Sequence, residues 1–170
     1  MDVFEAIYNR RSIRKYEQGK DISPELIKEI IGAGMMAPSA GNAQPWQFIV
    51  VDDREILDSV KDINPYAAMA GQAPLGILVC GDLSLEKYPG FWVQDCAAAV
   101  QNILLAIHAK GLGAVWTGVY NNDARVKGFT EKFNLPENVI PHAFLVVGWP
   151  AQESKPKDRF KEERIHLNKW

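Results

Sequence analysis

The centre of the chain contains the run Cys96-Ala97-Ala98-Ala99-Val100-Gln101-Asn102-Ile103-Leu104-Leu105-Ala106-Ile107, in which only Gln101 and Asn102 are polar. A helix over residues 91–110 would therefore be apolar nearly all round, which is typical of a central helix rather than an amphipathic surface helix. Its alanines leave room for a second helix to approach closely, and Gly111 provides a stop at its C-terminus. The sequence predicts a long buried helix around which the other elements pack.

Shorter patterned segments lie on both sides of this helix. Asp2 can cap a first helix that ends near Asn9, and Ser23-Pro24-Glu25 begins a second that ends near Gly34. The other predicted elements are strands at 46–51, 75–81, 114–120 and 142–149 and helices at 54–61 and 123–133. The apolar run at 75–81 is typical of a strand that is buried on both faces. Strands and helices in this irregular alternation indicate an α+β fold or a mixed sheet.

Length and composition exclude several classes of protein. The 170 residues, 47% of them hydrophobic, predict one domain over residues 1–170 with a core of its own. The net charge is 19 − 21 = −2, which argues against a nucleic-acid binder or a polybasic membrane binder. Asp2 and Glu5 stand where a signal peptide needs positive charge, and no segment is suited to cross a bilayer. We therefore expect a cytoplasmic protein without nucleic-acid or membrane partners.

The residue types that usually perform catalysis or bind metals are scattered. The three histidines, His108, His142 and His166, are far apart in the sequence, so a metal site is not predicted. Cys80 and Cys96 lie in apolar surroundings and are interpreted as buried thiols. Asp95 is interpreted as a carboxylate that faces the N-terminal dipole of the long helix, with a catalytic role as the alternative. The lack of an acid–base constellation favours a bound cofactor that carries the chemistry.

A basic cluster follows the first helix. Arg10-Arg11-Ser12-Ile13-Arg14 places three guanidinium groups and a hydroxyl within five residues, and residues 10–20 carry five basic groups against one acid. Guanidinium groups match the oxygens of phosphate with forked donors. The cluster is therefore a candidate phosphate site, and a solvated basic turn is the equally weighted alternative.

Two uncharged segments are candidates for contact with a ligand. The first is Pro38-Ser39-Ala40-Gly41-Asn42-Ala43-Gln44-Pro45-Trp46-Gln47-Phe48. Its prolines restrict the backbone and its side-chain amides donate and accept hydrogen bonds, which suits a rigid loop around a neutral heterocycle. An ordinary surface loop is the alternative. Gly111-Leu112-Gly113-Ala114-Val115-Trp116-Thr117-Gly118 follows a helix and enters a strand, the reverse of the order in a dinucleotide fingerprint. Gly118 is the better candidate there for close approach of the backbone to a ligand.

The C-terminal segment differs from the rest of the chain. Residues 151–170 are rich in Lys, Arg and Glu, contain little to bury, and end in Trp170. A segment that cannot pack on itself but carries a terminal aromatic residue is expected to pack on another surface, such as a partner subunit.

Taken in chain order, these motifs resemble the nitroreductase family of FMN-dependent oxidoreductases. The matching residues are Arg10-Arg11-Ser12-x-Arg14, Pro38-Ser39-x-x-Asn42-x-Gln44-Pro45-Trp46-x-Phe48, Gly111-Leu112-Gly113 with Trp116-x-Gly118, and, as in the family's short members, Lys157-Asp158-Arg159-Phe160 with Arg164-Ile165-His166-x-Asn168-x-Trp170. The resemblance implies an α+β fold with a mixed, mainly antiparallel sheet of four to five strands flanked by helices. It also implies a homodimer with FMN at the subunit interface and a C-terminal arm, residues 151–170, that reaches the partner subunit.

The resemblance assigns the residues around FMN by position. Arg10, Arg11 and Ser12 would meet the phosphate and ribityl chain, and Arg14 would stabilise negative charge at the pyrimidine end of the reduced ring. The other subunit would supply a loop with Pro38, Ser39, Ala40 and Asn42, which Gln44 would support. The flavin ring would lie along Trp116, Thr117 and Gly118. The phosphate would also be contacted by Lys157 and Arg159. No residue of the chain itself is assigned as catalytic, apart from the electrostatic role of Arg14.

The activity that the resemblance implies is a ping-pong oxidoreduction. NADH or NADPH passes hydride to the flavin N5 and leaves, and a small-molecule acceptor such as a nitroaromatic or a quinone then takes the electrons in the same space. Residues 82–91 are short where larger members of the family insert helices around the substrate pocket. A flavin-binding sensor or storage protein without turnover is the alternative.

Overall fold

The sheet has four strands that all pair antiparallel. The computed structural model describes residues 1–170. The strands are β1 (Trp46–Val51), β2 (Leu75–Asp82), β3 (Gly113–Gly118) and β4 (Val139–Gly148), in the spatial order β1-β2-β4-β3. The α+β class with a four-stranded sheet flanked by helices is thus confirmed. The parallel component of the expected mixed sheet is limited to one isolated bridge, from Ser12 to Ala114.

Five α-helices surround the sheet: α1 (Val3–Asn9), α2 (Pro24–Met35), α3 (Arg54–Ile63), α4 (Trp92–Ala109) and α5 (Asp123–Phe133). The predicted caps are confirmed, because Asp2 accepts a hydrogen bond from the Glu5 amide and Ser23 accepts one from the Leu26 amide. Three 3₁₀ segments, Ala40–Asn42, Pro65–Gln72 and Glu162–Arg164, complete the structure. No helix combines the length and the apolarity that a membrane crossing requires.

Two separate cores lie on the two faces of the sheet. Along β2, Ile77 and Val79 face a core shared with α2 and α4, whereas Leu78 and Cys80 face a second core shared with α3 and α5. All residues of β2 except the last are buried, which confirms the expectation of a strand covered on both sides. The helices form two layers that enclose the sheet, and α4 is the longest element of the first layer.

Helices α2 and α4 pack closely, as the small residues of the central run predict. A Cβ atom at Gly34 would lie 2.7 Å from Cγ1 of Ile103, so only glycine fits at this crossing without a shift. Ile30, on the same helix as Gly34, is fully buried against α4. This packing fixes α2, and hence the loop that follows it, against α4.

Strand β4 begins three residues before its predicted start at His142. The register between β2 and β4 shifts where Cys80 pairs with Pro141 and Val79 pairs with Ala143, so His142 is the extra residue of a bulge. A bulge accommodates proline within a strand because the ladder hydrogen bond that proline cannot donate is already interrupted there. The bulge turns His142 toward Trp92 at the start of α4.

Candidate cofactor site

A basic cavity of about 330 Å³ lies between the end of α1 and the C-terminal arm. Arg10, Arg11, Lys157 and Arg159 supply its positive charge, and Asp158 is the one acid in its lining. The side chains of Ile7, Tyr8 and Phe160 form the rest of the wall. The structure therefore brings four of the predicted phosphate-binding residues together within one chain.

The positive charges of this cavity have no acidic partners. The four ion pairs of the structure all lie elsewhere, and Nε of Arg11 is buried without any hydrogen-bond partner. Burial and the neighbouring charges of Arg11 and Arg159 lower the pKa of Arg10, although arginine remains protonated at neutral pH. A cluster of cations without acidic partners, one of them partly desolvated, suits an anion.

Backbone contacts hold the basic segment in place. The Arg10 amide closes α1 by donating to the Ala6 carbonyl, and the Ile13 amide donates to the Ala114 carbonyl of β3. Nη1 of Arg11 donates to the Arg10 carbonyl over 2.6 Å, which turns its guanidinium toward the cavity. Ser12 is half-buried beside β3, and Arg14 is exposed with its guanidinium outside every ion pair.

The loop after α2 has an unusual backbone. Gly41, Asn42 and Gln44 have φ angles of 58°, 53° and 51°, a left-handed region that residues other than glycine seldom adopt. The hydroxyl oxygen of Ser39 accepts from the Gln44 amide, and Nε2 of Gln44 donates to Oδ1 of Asn42. Strained conformations of this kind persist where surrounding contacts enforce them, and they concentrate at ligand sites.

Contacts with the start of α4 enforce that conformation. Oδ1 of Asp95 accepts a hydrogen bond of 3.0 Å from the Ala40 amide, and the Lys87 ammonium donates to the Gly41 carbonyl. The interpretation of Asp95 as a carboxylate that only faces the helix dipole was incomplete, because its side chain bonds a segment 55 residues away. A cavity of about 350 Å³ opens between this loop, including Pro38, and Phe91.

The end of β3 carries one exposed large side chain, that of Trp116. Trp116 is partly exposed, and its ring lies 5.7 Å from that of His142. Thr117 is buried and its hydroxyl donates to the Phe144 carbonyl, so this side chain is committed to the sheet. The Gly118 carbonyl accepts from Nη1 of Arg125, and space is open where a Gly118 side chain would be.

One buried histidine and two buried cysteines lie near these segments, and all three are neutral. Burial lowers the pKa of His142 to about 4, so its imidazole carries no charge at neutral pH. Burial raises the pKa of the Cys80 thiol to about 12 and also raises that of Cys96, which confirms both as buried thiols. Asn64, which is not among the predicted site residues, is fully buried and donates to the Gly118 carbonyl over 3.4 Å.

The two halves of the candidate site lie at opposite ends of α4. Asp95, in the first turn, holds the loop at 38–44, whereas Arg10 and Arg11 are close enough to His108, in the last turn, to lower its pKa together with burial. Asp95 and His108 are separated along the axis of α4 by about 20 Å. Most of the length of this helix therefore lies between the two halves within a single chain.

Comparison with known proteins decides the family. The model of the nitroreductase family matches residues 7–77 and 62–149. The chain belongs to the nitroreductase family. The resemblance drawn from the four motifs is thereby confirmed.

Relatives within the nitroreductase family match along the whole chain. A Methanothermobacter thermautotrophicus protein, provisionally named an NADH dehydrogenase/NAD(P)H nitroreductase, is 54% identical over 170 residues, which cover 100% of this chain and 88% of that protein. The crystal structure of a provisionally named nitroreductase from Desulfovibrio desulfuricans, in complex with FMN, is 31% identical with a TM-score of 0.85 and covers 100% of this chain and 98% of that one. The NADPH:FMN oxidoreductase of Vibrio harveyi, complexed with NAD⁺, is 26% identical with a TM-score of 0.86 and covers 98% and 77%.

Proposed function

We propose that this nitroreductase-family protein is an NAD(P)H oxidoreductase that binds FMN between two copies of the chain. The observation that carries the proposal is the basic cavity at Arg10, Arg11, Lys157 and Arg159, whose charges lack partners within the chain. The FMN and NAD⁺ complexes of two structural relatives support the same cofactor and the same class of donor.

The basic cavity fits the phosphate of FMN. It offers the forked guanidinium donors of Arg10, Arg11 and Arg159 to a doubly charged group. Ser12 adjoins this cluster and would serve the ribityl chain. The cavity on this chain provides one phosphate cluster, which favours FMN over a dinucleotide such as FAD.

The flavin ring would be held by two uncharged segments. The loop would supply Pro38, Ser39, Ala40 and Asn42, and Gln44 supports it by donating to Asn42. The backbone of Trp116, Thr117 and Gly118 would lie along the ring, since the Thr117 hydroxyl is already bonded within the sheet.

A homodimer would place the loop of one chain beside the basic cavity of the other. Because the residues of α4 beside the loop and beside the basic segment lie about 20 Å apart along the helix, we infer that one FMN uses both halves when they come from two chains. The arm, residues 151–170, is exposed along almost its whole length and ends in the fully exposed Trp170, which fits a segment that packs on the partner.

The chain positions the reactants rather than exchanging protons with them. Bound FMN supplies the redox chemistry, taking hydride from a nicotinamide and passing electrons to an acceptor. The exposed Arg14, outside every ion pair, is free to stabilise negative charge that develops on the reduced ring. The nearby His142 is neutral and buried, so solvent supplies the protons.

Donor and acceptor are expected to share one space over the flavin. Residues 83–91, which follow β2, form a short connection that contacts the loop through Lys87 and Tyr88. We therefore infer a ping-pong reaction with a small planar acceptor such as a nitroaromatic or a quinone.

The test combines the colour of the protein with its kinetics. Purified protein is expected to be yellow, to release FMN on heating, and to give parallel double-reciprocal lines when NAD(P)H and a quinone are varied together. Release of FAD would contradict the cofactor, and intersecting lines would contradict the shared space. Tightly bound FMN without NAD(P)H consumption would instead identify a flavin-binding sensor or storage protein.

A further inference from the structure

The start of α4 contains a buried carboxylate whose position the helix itself does not require. Asp95 is 5% exposed and occupies the fourth position of α4, after Trp92, Val93 and Gln94. Its carboxylate accepts no hydrogen bond from the amides of α4, so its side chain does not cap the helix. The carboxylate instead reaches the loop, where Oδ1 accepts from the Ala40 amide.

Only one oxygen of this carboxylate has a partner. Oδ2 of Asp95 is buried without a hydrogen bond, and Asp95 lines the cavity between the loop and Phe91. Leaving a buried polar atom unsatisfied is destabilising. An apolar residue at position 95 would make the folded protein more stable. The hydrogen bond to the Ala40 amide therefore explains the carboxylate better than the packing around it does.

The amide that Asp95 holds lies at the centre of the strained loop. Ala40 follows Ser39 and immediately precedes Gly41, the first residue with a left-handed φ angle. The bond to Ala40 is made by an element outside the loop, whereas the bonds from Gln44 to Ser39 and Asn42 are internal to it. Asp95 therefore fixes where the loop lies relative to α4, which the internal bonds cannot do.

We propose that Asp95 is a positioning residue for the flavin loop. Its Oδ1 anchors the Ala40 amide and so presets the conformation in which Ser39 and Asn42 meet the cofactor. This inference rests on the proposed function, and it adds a residue that acts on FMN through the loop and does not touch it. Preorganisation of this kind raises the affinity for FMN, because a loop that is already ordered loses less conformational entropy when the cofactor binds.

The test compares Asp95→Asn with Asp95→Leu, two side chains that both branch at Cγ, of which only asparagine keeps an acceptor for the Ala40 amide. Asp95→Leu is expected to raise the Kd of FMN by roughly 10- to 100-fold, as expected for loss of one charge-assisted hydrogen bond. It should also accelerate hydrogen exchange at Ala40. Asp95→Asn keeps the acceptor without its charge and is expected to recover most of the FMN affinity and most of the protection of the Ala40 amide. If Asp95→Leu does not fold, Asp95→Ala takes its place.

A matched control separates positioning from general stability. Asp53 caps α3 by accepting from the Ile56 amide over 2.9 Å, in the same way but far from the loop. Asp53→Leu should lower the melting temperature and leave the Kd of FMN unchanged. An equal loss of FMN affinity in Asp53→Leu, or failure of Asp95→Asn to restore it, would overturn the inference.

The same experiment distinguishes failure of the inference from failure of the proposed function. If wild-type protein binds FMN and Asp95→Leu binds it equally well with Ala40 equally protected, the inference fails and the function stands. If wild-type protein binds no FMN, the proposed function fails. Exchange at Ala40 then still decides whether Asp95 holds the loop: retained protection in Asp95→Leu overturns the anchor.

Discussion

Replacing Arg10 and Arg11 together with alanine is expected to weaken FMN binding by about 10²- to 10⁴-fold, because two charge-assisted contacts to one phosphate are lost. Both side chains line the basic cavity, and no acid in the chain is left unpaired by their removal. The dimer should remain intact. Fluorescence titration of the apoprotein with FMN measures the affinity, and analytical ultracentrifugation measures the assembly.

Arg14→Ala is the matched control for this charge removal. Arg14 lies three residues beyond Arg11, is exposed and is absent from the lining of the cavity. Its loss should leave most of the FMN affinity in place and instead lower the reduction potential of the flavin and slow its reduction by NAD(P)H. If the double variant Arg10→Ala/Arg11→Ala binds FMN as tightly as wild type does, the FMN phosphate does not bind in this cavity.

Truncation after Ser154 is expected both to weaken the dimer and to release FMN. The removed segment carries Lys157 and Arg159 of the basic cavity, so losing it should weaken FMN binding by about 10²- to 10⁴-fold. It also carries Phe160 and Trp170, whose side chains are 70% and 101% exposed in one chain and are suited to bury surface on a partner.

A full-length double variant separates the two functions of the arm. Lys157→Ala/Arg159→Ala should release FMN and leave the dimer intact, because the aromatic residues remain. The cut at Ser154 also spares Gln152, which accepts from the Arg14 amide and so anchors the start of the arm. A truncated protein that stays dimeric and loaded with FMN at nanomolar concentration would show that the arm is a loose tail.

Local chemistry made most of the fold predictable. The caps at Asp2 and Ser23, the fully apolar run at β2 and the alanine-rich centre of α4 each act through neighbours in the sequence, and the structure has each of these elements where it was expected. The start of β4 was predicted too late because the bulge at His142 depends on pairing with Cys80 in another strand. The 3₁₀ segment Pro65–Gln72 lacks an amphipathic pattern and was not predicted.

The candidate site was predictable only in part. Three guanidinium groups in five residues predicted either an anion site or a solvated basic turn, and the structure gathers two of them, Arg10 and Arg11, at one cavity. The hydrogen bond between Asp95 and Ala40 joins residues 55 positions apart, and no local pattern marks such a contact. The distance along α4 between the loop and the cavity likewise depends on tertiary packing. This distance is the reason for proposing that the flavin site is shared by two chains.

The central claim is that each flavin site takes its phosphate cavity from one chain and its loop from the other. It is tested by mixing two variants, Arg10→Ala/Arg11→Ala and Ser39→Ala/Asn42→Ala, after dissociation and reassociation of the dimers, at an FMN concentration at which neither variant alone retains the cofactor. Random pairing should yield mixed dimers with one intact site each, so FMN should occupy roughly one quarter of all sites. A mixture that binds no more FMN than its two parents would contradict the claim, because it would show that each site is built within a single chain.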